Sequence, residues 1–139
     1  MEIIMQDKIS LVKLADEARK NSYCPYSGMS VGAALVTDAG EIFLGVNIEN
    51  ASFPCGICAE RSALAAAVSA GKRRFSAIAV SGGRMGEAPT GFTPCGACRQ
   101  ALSELCPADM PVLVARDEGF DEYTLSSLLP YSFDKSRLD

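Results

Sequence analysis

Apolar positions recur along the chain with two spacings, and the switches between them mark out the elements. Between Lys8 and Asn21, the residues Ile9, Val12, Leu14, Ala15 and Ala18 stand among charges at helical spacing. Asn21-Ser22 and Pro25-Tyr26-Ser27-Gly28 break that pattern and predict a loop. Val31-Gly32-Ala33-Ala34-Leu35-Val36 reads as a buried strand. Asp38-Ala39-Gly40 is a turn, from which Glu41–Val46 pairs back as a hairpin. Asn47–Ile57 is polar and punctuated by Gly and Pro, a loop. Cys58–Ala70 is alanine-rich with no breaker, so it is a strong helix, closed by Gly71. Phe75–Val80 predicts a third strand, Ser81–Thr93 a glycine-rich loop, and Pro94 to about Leu105 a helix with proline in its first turn. Met110–Ala115 predicts a fourth strand, and Tyr123–Leu129 a short helix before Pro130. Helices alternate with strands after the opening hairpin, so one α/β domain over 1–139 with a partly antiparallel sheet is expected.

Composition narrows the chemistry. The chain has 139 residues, 48% of them hydrophobic, which fits a domain with much buried surface or one that also buries some between subunits. The net charge of −4 and the absence of a basic run give no electrostatic reason to expect binding to nucleic acid or an anionic membrane. No apolar stretch approaches the ~20 residues of a membrane span. The start, MEIIMQDKISLVKLADEARK, shows neither a secretory apolar region nor a cleavage site, so a cytoplasmic location is expected. There the six cysteines would stay reduced, which favours metal binding or catalysis over disulfides. The chain contains no histidine. A transition-metal site must therefore use thiolates and carboxylates, and hydrolases built on a serine–histidine or cysteine–histidine pair are excluded.

Two Cys-x-x-Cys pairs focus the question: Cys55-Gly56-Ile57-Cys58 and Cys95-Gly96-Ala97-Cys98. Their spacing suits a closed four-thiolate structural zinc site. Their position suits something else. Cys58 opens the alanine-rich helix, and Cys95 and Cys98 open the next long one, so two helix N-termini would face one metal and lower the thiol pKa values. Three thiolates would leave a fourth position for water. Glu60, two residues after Cys58, could lean into that pocket without ligating, although a first-turn acid on a helix dipole is by itself an ordinary feature.

Cys58-Ala59-Glu60 with Pro94-Cys95-Gly96-Ala97-Cys98 matches the three-cysteine form of the zinc nucleobase deaminase signature. Further motifs extend the likeness: Tyr23-Cys24-Pro25-Tyr26-Ser27, Val31-Gly32-Ala33-Ala34-Leu35, Asn47-Ile48-Glu49-Asn50-Ala51-Ser52, Arg99-Gln100 and Leu128-Leu129-Pro130. In this order, over nearly the whole chain, the sequence resembles the short, homotetrameric zinc cytidine deaminases.

The resemblance implies a three-layer α/β/α fold with a mixed central sheet of about five strands. It implies Zn²⁺, one per subunit, held by Cys58, Cys95 and Cys98 but not Cys55. Glu60 would take a proton from the attacking water and deliver it to the ring nitrogen, and a second proton transfer would send the amine off, giving uridine and ammonia in pyrimidine salvage. Asn47 and Glu49 match residues that bind the ribose, and the Ala59 N–H would face the pyrimidine. Arg61 matches an arginine that hydrogen-bonds the zinc thiolates. Phe133 matches an aromatic that reaches the base from a neighbouring subunit, or else is a surface aromatic without a site role. Met29 stands near the pyrimidine where relatives commonly carry phenylalanine, and Phe53 stands where they often carry tyrosine. Cys24 and Cys106 read as buried thiols of the core. The substrates implied are cytidine and 2′-deoxycytidine. Other readings are a deaminase of a modified cytosine nucleoside, like the blasticidin S deaminases, and a four-cysteine zinc module. Asn47-Ile48-Glu49-Asn50 argues against the first, and Ala-Glu-Arg after Cys58 has no job in the second. A polynucleotide editor would need a basic groove or a run of stacking aromatics, and neither is visible.

Overall fold

Neighbouring residues in the apolar strand segments face two different cores. Ala33 and Leu35 enter one cluster with Ile78, Val80, Val112 and Val114, whereas Ala34 and Val36 enter another with Ala77, Ala79 and Leu113. This period of two, apolar on both sides, is what a sheet covered on both faces requires.

The computed structural model describes residues 3–138; Met1, Glu2 and Asp139 lie outside the described residues. Its elements are α1 (Met5–Ala18), β1 (Met29–Thr37), β2 (Ile42–Val46), α2 (Ala59–Ser69), β3 (Phe75–Arg84), α3 (Gly96–Leu105), β4 (Pro111–Ala115), β5 (Phe120–Thr124) and α4 (Leu125–Leu128). The strands form one sheet of five in the order β2-β1-β3-β4-β5. β1 pairs antiparallel with both β2 and β3, β3 pairs parallel with β4, and β4 pairs antiparallel with β5. The sheet is therefore mixed, as expected.

Leu11 and Ala15 of α1 cover the face of Ala34 and Leu113. Ala59, Ala63 and Ala67 of α2 and Leu102 of α3 cover the face of Leu35 and Val112. The result is the expected α/β/α sandwich. Small residues let α2 come close. A Cβ on Gly45 would collide with the backbone of Ala59 and Ala63, so glycine there sets the height of α2 above β2.

The departures from the sequence expectation that matter for the site lie at β3, β5 and the start of α3, beside shifts of up to three residues at the ends of α1, β1 and α2. β3 runs on past Val80, because Ser81, Gly82 and Gly83 pair with Gly32, Val31 and Ser30 rather than forming a loop. β5 was not foreseen: Phe120-Asp121-Glu122-Tyr123-Thr124 is polar because it is an edge strand, half of it facing water. It takes Tyr123 and Thr124 from the expected C-terminal helix, whose shortened form begins where Thr124 Oγ1 accepts the Ser127 N–H at 3.2 Å. Pro94 lies outside α3, which starts at Gly96 with Cys95 as its N-cap. No helix among the described residues is long and apolar enough to cross a membrane.

Candidate metal centre and active site

Parallel pairing of β3 and β4 forces a crossover, and α3 makes it; α2 likewise carries the chain from β2 back to β3. Both helices begin at the same end of the sheet. Cys58 is the N-cap of α2, with extended backbone (φ −80°, ψ 156°), and Cys95 is the N-cap of α3 (φ −67°, ψ 166°). Cys98 sits one turn into α3 and is fully buried. The three Sγ atoms lie within 4.8 Å of one another, and Cys58 Sγ is 3.8 Å from Cys95 Sγ. Tetrahedral zinc with Zn–S bonds of about 2.3 Å needs sulfurs roughly 3.8 Å apart, so these residues fit one zinc ion. Cys55 is exposed, its Sγ 3.5 Å from Ser52 Oγ, and stays out of the cluster. Cys24 and Cys106 are buried, as expected, and burial pushes the Cys106 thiol up to about 12.

No side chain caps α2, so its first-turn N–H groups are left for whatever occupies the space in front of it. Glu60 is only 4% exposed there. Burial raises its carboxyl above the ordinary carboxylate range, partly opposed by its own backbone N–H and by Arg61. The Arg61 guanidinium turns back to the cluster, Nη2 donating to Cys58 Sγ at 3.5 Å. The Cys58 and Cys98 sulfurs beside it raise its pKa further. Without metal, Cys98 is pushed well up by burial and by the facing charges of Glu60 and Cys58. For Cys95, burial works against ionisation but is outweighed by hydrogen bonds from the Cys98 backbone and from the Cys98 and Cys58 side chains.

A cavity of about 400 Å³ opens in front of these groups. Cys58, Ala59, Glu60, Arg61 and Cys95 line its polar end, Asn47 and Glu49 another side, and Val31, Val80 and Phe92 an apolar wall. Asn47 is locked to β1: its Oδ1 accepts the Val31 N–H at 2.8 Å and its Nδ2 donates to the Met29 carbonyl at 2.9 Å. Glu49 accepts from the Tyr26 and Ser27 N–H groups at 2.9 and 3.1 Å and from Ser27 Oγ at 2.5 Å. The Ser27 hydroxyl, then its N–H, hold the Glu49 carboxyl below the usual range. Isolated bridges from Ile48 to Tyr23 and Ile57 stiffen the loop between these residues.

Seven sequence-predicted residues thus meet around one cavity or just beneath it: Asn47, Glu49, Cys58, Ala59, Glu60, Arg61 and Cys95, with Cys98 completing the thiol cluster. Met29 and Phe133 do not line it. Met29 contributes its backbone to Asn47, and Phe133 is 60% exposed with its carbonyl accepting from Gln100 Nε2 at 2.9 Å. Phe53 lines the cavity mouth and stacks edge-on against Tyr26, with ring centroids 5.9 Å apart. Sequence reasoning missed Val31, Val80 and Phe92 as walls. It named Arg99 as part of a motif but gave it no role; Arg99 donates to the Pro94 carbonyl at 2.6 Å, the Leu128 carbonyl at 2.7 Å and Thr93 Oγ1 at 3.1 Å. That fork ties the segment entering Cys95 to the end of α4.

An α/β/α sandwich with three thiols and a buried carboxyl at two helix N-termini defines a metal-site enzyme of the hydrolytic type. Comparison with known proteins narrows the class. Residues 5–114 match the family model described as the cytidine and deoxycytidylate deaminase zinc-binding region. A cytidine deaminase of Halalkalibacterium halodurans is 47% identical, the match covering 91% of this chain and 94% of that one. One from Sporosarcina psychrophila is 42% identical over 95% of each chain. The crystal structure of cytidine deaminase from Burkholderia pseudomallei superposes with a TM-score of 0.83 at 40% identity, covering 94% of this chain and all of that one. The chain belongs to the cytidine and deoxycytidylate deaminase family.

Proposed function

We propose that the chain, as a single catalytic domain over 1–139, hydrolyses cytidine and 2′-deoxycytidine to uridine and 2′-deoxyuridine with release of ammonia. The observation that carries this is the placement of a buried carboxyl, Glu60, in the cavity lined by Cys58 and Cys95, with Cys98 of the same cluster buried beneath. Cys58, Cys95 and Cys98 hold the zinc, which when bound makes water acidic enough to serve as a nucleophile near neutral pH. Glu60 takes the water's proton, gives it to the ring nitrogen and passes a second proton to the departing amine. A carboxyl whose affinity for protons is raised by burial suits both halves of that shuttle. Arg61 tempers the negative charge of the thiolates. The Ala59 N–H faces the base, and Asn47 and Glu49 bind the ribose hydroxyls. Their locks onto β1 and onto the Tyr26–Ser27 segment fix them before substrate arrives, and a bare base would forgo the further hydrogen bonds they can make to ribose hydroxyls.

The enzyme works in pyrimidine salvage in the cytoplasm, as a homotetramer with shared sites. Exposed Tyr23, Tyr26, Ile48 and Phe53 beside the cavity mouth supply apolar surface for that assembly, and Phe133, 60% exposed, would reach the base of a neighbouring subunit's site. The test is ammonia release from cytidine, deoxycytidine, free cytosine and adenosine by the zinc-loaded protein, with sedimentation for the assembly. Turnover of the first two alone, by a species of four chains, is expected. Equal turnover of free cytosine would remove the ribose roles, and an active monomer would remove the shared sites.

A further inference from the structure

Gly82 of β3 leaves a vacancy that one side chain occupies. A Cβ on Gly82 would lie 2.5 Å from Phe92 Cδ2, 2.7 Å from its Cγ and 2.8 Å from its Cβ. Carbons in contact prefer about 3.5–4.0 Å, so the ring is seated on the bare backbone of Gly82. Gly82 follows Val80 by two residues in β3, and both therefore present to the α2 side. The Phe92 ring extends the wall that Val80 begins. Val31, Val80 and Phe92 face the same cavity as Cys58, Cys95 and Glu60.

The ring also has little freedom to retreat. The Thr90 N–H donates to the Gly82 carbonyl at 2.9 Å, and the Gly91 N–H donates to the Ala115 carbonyl at 3.2 Å. Pro94 after it is buried, and its carbonyl is held by Arg99. A half-buried aromatic on a segment stitched to two strands is a fixed wall, and close-packed walls discriminate by volume.

We propose that Phe92, seated on Gly82, is a specificity-determining residue: it sets the size of the chamber beside the thiol cluster, admitting one pyrimidine ring with a primary amine and excluding rings with an added alkyl group at the reacting edge. This rests on the deaminase function proposed above. One methylene too many in an apolar pocket changes kcat/KM by roughly 10–200-fold, so the gate is strong enough to measure.

The experiment compares wild type, Phe92→Leu and Phe92→Ala on cytidine, 5-methylcytidine and N4-methylcytidine. Formation of uridine from cytidine and N4-methylcytidine, and of 5-methyluridine from 5-methylcytidine, is followed, so that methylamine and ammonia release are read alike. In Phe92→Ala, kcat/KM for one methylated substrate relative to cytidine is expected to rise on the order of 10-fold or more, with Phe92→Leu in between. The substrate that gains identifies the edge facing the ring. Gly82→Ala provides an independent reading by thermal melting: alone it lowers Tm, and in the Phe92→Ala background the loss shrinks, because the ring it strikes is gone. An unchanged ratio of kcat/KM between the methylated substrates and cytidine in Phe92→Ala and Phe92→Leu, or a loss of turnover on all three substrates in both variants with zinc still bound, overturns the proposal. So does a Gly82→Ala loss that is the same with and without the ring. A wild type inert on all three nucleosides overturns the deaminase function and the size gate with it, whereas unchanged selectivity in an active enzyme overturns the gate alone.

Discussion

Arg61 Nη2 and Cys58 Sγ lie 3.5 Å apart across the first turn of α2, so a guanidinium leans on the thiol of its own helix's N-cap residue. On the proposed function, three thiolates on a divalent cation would carry excess negative charge that blunts the metal's pull on a bound ligand, and Arg61 would draw some of that density away. Replacing Arg61 by methionine is expected to lower kcat by about 10–100-fold while KM moves little. Arg61→Lys, which keeps the charge but not the fork, falls between. Steady-state kinetics on zinc-loaded protein measure both.

Cys55 and Cys58 share a motif but not an environment. Cys55 is exposed and paired with Ser52, and Cys58 belongs to the cluster. Cys55→Ser is expected to keep one zinc per chain and full turnover, whereas Cys98→Ser loses the metal. Elemental analysis after dialysis distinguishes the two, and zinc loss from Cys55→Ser equal to that from Cys98→Ser would restore the four-thiolate module.

Glu49 anchors the Tyr26–Ser27 segment through a carboxyl held below its ordinary range, chiefly by Ser27. A depressed folded-state pKa means that the contribution is fully present above the ordinary carboxylate pKa and is lost as pH falls through the folded value. KM for cytidine is therefore expected to stay flat from neutral pH through mild acid and to climb only below the usual carboxylate range. Glu49→Gln is expected to raise KM by about 10-fold or more at pH 7. A KM that already climbs as pH falls from 7 to 6 would assign the titration to another group.

Gly45 fixes α2, and α2 fixes Cys58. A methyl group at position 45 would run into the backbone of Ala59 and Ala63, immediately after the ligand. Gly45→Ala is expected to cost about 1–3 kcal/mol in a denaturant melt, and to accelerate zinc loss to a chelator. Destabilisation without faster zinc loss would mean that α2 tilts elsewhere than at its N-terminus.

Legibility in the sequence followed burial and motif density. β1 and the first half of β3 were plain, because Val31–Val36 and Phe75–Val80 are apolar on both faces. The two helix starts were legible to within two residues, because cysteine and the alanine-rich or Pro-flanked starts coincide. β5 was hidden because Asp121 and Glu122 of an edge strand look like a loop. The tail of β3 was hidden because Ser81-Gly82-Gly83 has the composition of a turn, although glycine within a strand can equally signal another chain passing close by. Phe92 had no motif to announce it: its place depends on Gly82, ten residues earlier, and on hydrogen bonds to two strands. Arg99 could be read only as part of a family motif, since the carbonyls it holds at Pro94 and Leu128 come together through the fold.

The most direct measurement is uridine and ammonia formation from cytidine by zinc-loaded wild type beside zinc-loaded Glu60→Gln. The expected result is stoichiometric uridine and ammonia from wild type and a loss of about 10²–10⁴-fold in the variant with zinc retained, since glutamine keeps the shape of the carboxyl but cannot carry the proton. Turnover that survives in Glu60→Gln, or a zinc-loaded wild type that leaves cytidine untouched, would contradict the assignment of this cavity as a deaminase site.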